Sequence, residues 1–520
     1  MIEVLTREFG GGALARAALA KQVPVEWYEA VPGSAAEWKA AGRRVADEFS
    51  TGDWFTGLAP AFGFDQKTSE SSSSAFERLS RSAHGRGIVI TTGQQPALFG
   101  GPMYTWSKAL TALAFADALE HATGIPVAPV FWAATDDADY AEASYTAVVQ
   151  GGEVHILRMP DREPGASMAH TPLGEVAEQF ELLAQAAGSA IDLAPLEAVR
   201  ESYTSAESVG SAYIKLLRRL MEPLGISVLD AAHPAVRTAA GPIVQRALQR
   251  ATDVRDALAA RSTAIEATGN YRVQVQPVPN LSLVFNSEEG VRKRVQLKET
   301  ARVVANVSIN HLSPNVLLRP VVERSILPTV TYVAGPAEYA YFAQVTAVAD
   351  ALDAPRPRVV PRWSGFILEP HVREILNKLN ATVDDFQDPH AIEGRVAREE
   401  LSGNVRGAIA NLREALRTHA STLREEQHLL PSLKKAVSGF EAHVEHRIAR
   451  LERRFAAAVK RSGNARLHDV AVARASLFPN GTPQERLLNI IPFFARYGQV
   501  VCTEMMAAAR THARALVNGD

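Results

Sequence analysis

Three short segments of the 520-residue chain collect the side chains best able to do chemistry. The first runs from Thr92-Gly93-Gln94-Gln95 through Gly100-Gly101-Pro102 to Lys108. Its glycines let the backbone approach a ligand closely. The N-terminus of the following helix offers free N–H groups to an anion, and a lysine one turn further in can reach a phosphate or carboxylate. The alternative is a tight loop whose glycines serve only the turn. The second segment is Thr135-Asp136-Asp137-Ala138-Asp139, with three carboxylates in four residues. These repel one another unless a cation or hydrogen-bond donors offset them, so the cluster could hold magnesium with a nucleotide, or orient an amine or a sugar hydroxyl. The alternative is a solvated turn whose aspartates cap the next helix. The third segment is Gly335-Pro336-Ala337-Glu338, with Tyr341 and Gln344 following at steps of three that place them near one helix face. Glu338 could bind an amine or act as a base, or it could simply complement the helix dipole as a first-turn acid. Arg319, in Leu317-Leu318-Arg319-Pro320, is a candidate for holding a carboxylate through paired hydrogen bonds, with a structural ion pair as the alternative.

Each segment follows an apolar run that reads as a buried strand: Gly87–Thr92, Ile125–Trp132 and Val330–Val333. Helical spacing follows over Met103–His121 and Tyr339–Leu352, giving strand, loop, helix, strand units and hence a parallel sheet. A helix over Glu207–Glu222, a strand Ile226–Leu229 with Asp230 at its end, and helical text over Pro234–Ala260 continue the alternation. In open sheets of this kind ligands sit outside the carboxyl ends of the strands, where strand order reverses. The expected fold is α/β, a Rossmann-like doubly wound parallel sheet with connecting insertions. Between Tyr271 and Leu297 the period switches to two, bounded by Pro-Asn and Glu-Glu-Gly turns, which predicts an antiparallel insertion. Leu5–Asp65 is irregular apart from its spaced tryptophans, and Ser71–Ser74 reads as a solvated loop or helix entry. Residues 400–462 carry Leu433, Val437, Phe440, Val444, Ile448, Leu451, Phe455 and Ala458 at steps of three and four. That is close to a heptad seam, and Pro431 is expected to split the stretch into an antiparallel helical hairpin. The expected domains are 1–380 (core, with insertions at about 150–205 and 265–312), 381–475 (helical coiled coil) and 476–520 (returning to the core).

Lys and Arg number 55 against 57 Asp and Glu, a near balance that argues against a general nucleic-acid binder. Cys502 is the single cysteine, so neither an intramolecular disulfide nor a cysteine-based zinc site can form within one chain. It reads as a small apolar residue rather than a nucleophile. No signal peptide and no run of 18 apolar residues occurs, so a cytoplasmic protein without membrane attachment is expected. Neither a Gly-x-Ser-x-Gly elbow nor a His-Glu-x-x-His word is present, and His443 and His446 fall on the coiled-coil stretch, where a solvated face is expected.

The word Thr92-Gly-Gln-Gln-Pro-Ala-Leu-Phe-Gly-Gly-Pro-Met-Tyr-Thr-Trp-Ser-Lys-Ala-Leu110 resembles a motif of the bacterial enzymes that add cysteine in bacillithiol biosynthesis, the BshC family. Val127–Trp132 with its acidic cluster, Pro314–Val322, Leu327–Gln344, Gln484–Asn489 and Pro492-Phe493 resemble it as well, so the likeness spans about residues 85 to 500. It implies a core related to class I aminoacyl-tRNA synthetases, a C-terminal coiled coil that forms a homodimer, and joining of cysteine to the amino group of glucosaminyl-malate. Kinship with the synthetases suggests ATP, with magnesium, and an aminoacyl-adenylate. In that scheme Lys108, Asp137, Asp139 and Glu338 are the catalytic candidates. Thr92, Gly93, Gln94, Gln95, Gly101, Tyr104, Asp136, Asp230, Arg319, Gly335, Tyr341 and Gln344 would bind substrate or nucleotide. The family's acidic motif commonly carries a histidine between its last two acids, where this chain has Ala138. The competing readings are a nucleotide-sugar glycosyltransferase using Asp137-Ala138-Asp139, and a non-catalytic coiled-coil scaffold.

Overall fold

A computed structural model describes residues 2–50, 53–64, 73–288, 290–388, 390–425, 433–461 and 465–519. Ser71, Ser72, Glu289 and Pro431, on which parts of the loop, turn and hairpin readings rest, lie outside the described residues. The chain divides into two compact units. One comprises Ile2–Val148, His155–Ile367 and Glu485–Asp520; the other is built on Leu368–Gln484 with Val149–Val154.

The larger unit is organised by five parallel strands: β1 (Ile88–Gln94), β2 (Val127–Ala133), β3 (Ser227–Asp230), β4 (Thr329–Ala334) and β5 (Val359–Pro361). Their order is β5-β4-β1-β2-β3. The chain therefore steps outward from β1 to β2 and β3, then returns to the other side of β1 for β4 and β5. Order reverses between β1 and β4, and their carboxyl ends open a crevice there. Both faces of the sheet are covered, so β2 and β4 are buried along their whole length and read as continuous apolar runs rather than alternating ones. β1 runs on to Gln94, two residues past the expected end, so Gly93 and Gln94 belong to the strand rather than to the loop. The register explains why glycine is needed: Gly93 lies opposite Trp132, and a Cβ on it would sit 2.6 Å from the Trp132 carbonyl oxygen.

Helix α1 (Tyr104–Thr123) follows β1 and is buried on nearly every side, packed between the sheet and the helix Gln499–Asn518. That double cover accounts for its lack of a polar face. Helix α2 (Arg319–Ile326) precedes β4 and helix α3 (Pro336–Ala351) follows it. Because α3 starts at Pro336, Glu338 lies in its first turn, one residue before the helix expected from Tyr339. The insertion is antiparallel as expected, with strands Leu281–Asn286, Lys293–Gln296 and Leu312–Pro314; residues 271–280 form no strand. The text expected as one helix over Pro234–Ala260 is two, Pro234–Gln249 and Ala251–Ala267, broken at Arg250.

The N-terminal region expected to be irregular is helical over Ala13–Leu19, Ala35–Glu48 and Trp54–Phe62. Ser34 caps the second of these by accepting from the Glu37 amide, and Trp38 packs edge-on against Phe115 of α1 at 5.3 Å. Short amphipathic helices tucked under a core carry too few turns for their period to stand out.

Among the described residues from Pro370 to Leu477 the smaller unit contains helices and no strand, and it begins at Leu368 rather than at 381 because the helix Pro370–Lys378 packs on Ala465–Leu477. Its centre is the pair α4 (Gly403–Glu425) and α5 (Leu433–Arg461). Ile409 and Ile448 bury with Leu401, flanked by Val405, Leu416, Val444 and Val459. Arg413 braces the pair through Glu445 at 2.9 Å and Glu452 at 2.8 Å. Leu433, Phe440, Leu451 and Phe455, which belong to the same apolar periodicity, remain exposed. Among the described residues no helix is long and apolar enough to cross a membrane.

Candidate active site

The crevice at the β1/β4 switch point is a cleft of about 630 Å³ within the larger unit. Its floor is a buried ion pair. Lys108, in the second turn of α1, sends its ammonium to the Glu338 carboxylate at 2.5 Å, to the Gly93 carbonyl at 2.8 Å and to the Gln94 side-chain oxygen at 3.0 Å. An ammonium has three hydrogens, and here each has an acceptor. Glu338 accepts in addition from the Tyr332 hydroxyl at 2.7 Å and from the Gly335 amide at 2.8 Å. The last bond closes the first turn of α3, so the capping role and the site role of Glu338 are one arrangement.

Both members of the pair have lowered pKa values, from different causes. Burial lowers the Lys108 pKa, and the Glu338 charge opposes that fall. Burial pushes the Glu338 carboxyl up, but Lys108, Arg319 and the donated hydrogen bonds outweigh it and hold the carboxyl below its usual range. Arg319 lies beside them, its guanidinium 3.3 Å from the Tyr341 hydroxyl and 3.8 Å from Glu338. Behind the floor Arg362 and Glu485, both buried, form a two-pronged pair at 2.8 and 2.9 Å, with the Arg362 guanidinium 5.9 Å from the Tyr104 ring centre. Tyr104 accepts from the Gln94 amide at 3.2 Å.

Across the cleft lies the acidic cluster, and its carboxylates already have partners. Arg292 donates to Asp137 at 3.1 Å, and Asp136 sits 3.7 Å from Arg237 and 3.8 Å from Arg292. Arg292 also covers the Phe285 ring at 4.0 Å and donates to the Pro314 carbonyl. Asp137 accepts from the Ala138 amide at 2.7 Å. Asp139 is exposed, lies outside the cleft lining, and caps the short helix Tyr140–Ala143 through the Glu142 amide at 3.0 Å. The structure thus gives it the helix-capping role. Arginine pairing and capping answer the repulsion between these acids. Among the described residues no set of three His, Cys, Asp or Glu side chains converges as a metal site would require. The geometry therefore gives no support to the acidic cluster as a resident cation site, the feature on which the glycosyltransferase reading rested.

Of the other residues singled out from sequence, Gln94, Gln95, Gly335 and Tyr341 line the cleft together with Gly93 and Tyr104. Four stand behind it. Thr92 donates to the Val333 carbonyl at 2.8 Å, tying β1 to β4. Gly101 has φ +76° at the entry to α1, a left-handed conformation, and its Cβ would strike Ala97. Asp230 accepts from the Thr135 hydroxyl and the Ala232 amide. Gln344, fully buried, donates to the Val275 carbonyl at 2.7 Å and accepts from its amide at 3.1 Å, which anchors the strandless segment 271–280. That segment gives Val275, Gln276 and Val278 to the cleft wall. Cys502 is half-buried outside the cleft, and burial raises its pKa.

Sequence reasoning did not single out Arg292, Arg294, Arg362 and Arg486, which also line the cleft. Arg292 and Arg294 are separated by one residue, the spacing that puts two side chains on the same face of a strand, which was a usable signal. With Lys108 and Arg319 these arginines outnumber the lining acids Asp136, Asp137, Glu142 and Glu338. The cleft can thus hold an anion, and the Lys108–Glu338 floor can exchange a partner with a ligand's carboxylate, phosphate or amine.

A parallel sheet whose order reverses over such a basic cleft defines a Rossmann-like ligand-binding protein with an appended helical hairpin. A family model described as the N-terminal Rossmann-like domain of bacillithiol biosynthesis BshC matches residues 56–363, and one described as its C-terminal coiled-coil domain matches 365–515. The chain belongs to the BshC family. The protein named "Putative cysteine ligase BshC" in Solibacter usitatus is 31% identical over 441 residues, covering 81% of this chain and 82% of the relative. Its namesake in Koribacter versatilis is 30% identical over 459 residues, 84% of each chain. That of Symbiobacterium thermophilum is 27% identical over 515 residues, covering 91% and 92%.

The depressed Glu338 carboxyl fixes a pH dependence. A group held below its unfolded value stabilises the fold fully above that value, about 4.3, and loses its contribution as pH falls through the folded value. Glu338→Gln is therefore expected to be less stable than the parent at pH 7, with the gap closing below about pH 4. Urea denaturation at a series of pH values checks this; a gap independent of pH would mean that the Glu338 charge does not hold the floor together.

Proposed function

We propose that this chain is an amide-forming ligase of bacillithiol biosynthesis, joining the carboxyl of cysteine to the amino group of glucosaminyl-malate. The observation that carries the reading is the basic cleft at the strand-order reversal, in a chain whose relatives are named cysteine ligases. Glucosaminyl-malate brings two carboxylates, and the excess of arginine and lysine in the cleft suits them. A carboxylate and an amine do not condense unaided, so the cysteine carboxyl must be activated. We assign that step to ATP. The carboxylate oxygen attacks the α-phosphorus and pyrophosphate leaves; the sugar amine then attacks the acyl carbon, AMP leaves, and the amine's proton passes to a base. Magnesium enters with the nucleotide, since Asp136 and Asp137 are paired with arginines. Lys108 and Arg319 neutralise anionic groups on the floor, and Glu338 orients the incoming amine.

Mass spectrometry of the purified protein with cysteine, glucosaminyl-malate, ATP and magnesium is expected to show the thiol product together with AMP and pyrophosphate. Product formed equally without ATP would keep the substrates and remove the adenylate. No thiol product with any nucleotide would overturn the reading.

We also propose that two chains pair through the exposed apolar residues Phe440, Leu451 and Phe455 of α5, since a patch of that kind is stabilised by a second apolar surface. Light scattering is expected to give a dimer for the parent and a monomer for Phe440→Lys with Phe455→Lys. A monomeric parent would refute the pairing.

A further inference from the structure

Beneath the cleft floor lies a carboxyl that the proposed reaction does not use. Glu323, in the second turn of α2, is 1% exposed, and neither of its oxygens has a hydrogen-bond partner among the described residues. Its nearest charged neighbour is Arg319 on the same helix, with Nε at 3.5 Å but not aligned for a hydrogen bond. The same guanidinium reaches forward to the Tyr341 hydroxyl and to Glu338. Arg319 thus stands between two carboxyls, one in the cleft lining and one behind it. A fully buried carboxylate that has only the Thr91 hydroxyl and an unaligned guanidinium beside it is costly, whereas a neutral carboxyl there is tolerated.

We propose that Glu323 is a positioning residue for the cleft: uncharged, it leaves Arg319 to act forward on Glu338 and on an anionic ligand, and charged, it draws Arg319 back and weakens anion binding. The groups facing it are Arg319 from its own helix, Thr91 from β1, Lys108 from α1, Tyr332 from β4, and Glu338 and Tyr341 from α3. Burial pushes the Glu323 carboxyl up to about 8; Arg319 opposes the rise and the Glu338 charge adds to it. With Glu323 neutral, Lys108 and Arg319 face a single carboxylate, so the floor carries a net positive charge. With Glu323 ionised that charge is cancelled. The inference rests on the cleft as an anion site and not on the ligase reaction, so it stands or falls separately from the proposed function.

Sulfate is the probe, because it does not titrate in the relevant range. Its dissociation constant for the full chain, measured by calorimetry between pH 6.5 and 9.5, is expected to rise roughly tenfold, the order of effect of one added charge at this depth. In Glu323→Gln the affinity is expected to stay at the low-pH value throughout. If the parent shows no pH dependence, the proposal is wrong. If the loss of affinity persists in the variant, deprotonation of Lys108 is responsible and the proposal is again overturned. Infrared spectra of the parent protein avoid reliance on the variant's folding. A protonated-carboxyl band present at pH 7 and lost by pH 9.5 supports the assignment, and absence of that band at pH 7 contradicts it.

Discussion

The contact between Lys108 and Glu338 is the constraint on which the site depends. It joins the second turn of α1 to the first turn of α3, two helices that follow the neighbouring strands β1 and β4, across the line where strand order reverses. A parallel sheet leaves a crevice at that line and two helix N-termini facing it. Two positive helix ends and a buried lysine cannot share a dry site without a negative partner. Glu338 is that partner, and it serves α3 at the same time by accepting the Gly335 amide. The pair is weak evidence for stability in itself, since desolvating two charges offsets most of their attraction. What it does is fix where charge stands in the cleft.

Around this pair the arginines are graded by what else they hold. Arg362 is locked by Glu485 and by the Trp363 carbonyl and Ser364 hydroxyl. Arg292 is held by Asp137, the Ser313 hydroxyl, the Pro314 carbonyl and the Phe285 ring. Arg486 is exposed at the cleft edge. The inner cations are therefore set before any ligand arrives, which spares the ligand the cost of ordering them. Ala138 stands in the turn of the acidic cluster, where its amide donates to Asp137 and its carbonyl accepts from the Tyr140 amide. A histidine at that place would add a titratable ring beside Asp137.

Much of this was legible in the sequence wherever a signal was local. The runs at Ile88, Val127 and Thr329 are short and dominated by apolar residues, and each leads into a polar turn and a helix, so the sheet and its ligand-binding end could be placed. Lys108 and Glu338 were each identified, but not as partners: they are 230 positions apart, and only the pairing of β1 with β4 brings them together. The same limit hid Arg362 and Glu485, whose pairing spans 123 positions. Asp139 caps a helix in the structure, and because a capping aspartate and a catalytic one share residue type, the sequence left both readings open. Glu323 gave no sign at all, since burial depends on what packs over a helix and not on the helix's own text.

The role of the Lys108–Glu338 contact is measured by a double-mutant cycle on unfolding free energy in urea, using Lys108→Met, Glu338→Gln and both together at pH 7.5. If the ion pair organises the floor, the two losses are coupled by about 1–3 kcal/mol, and the double variant is little worse than the more damaging single one. Losses that add to within about 0.5 kcal/mol would show two independent side chains whose contact does not organise the cleft.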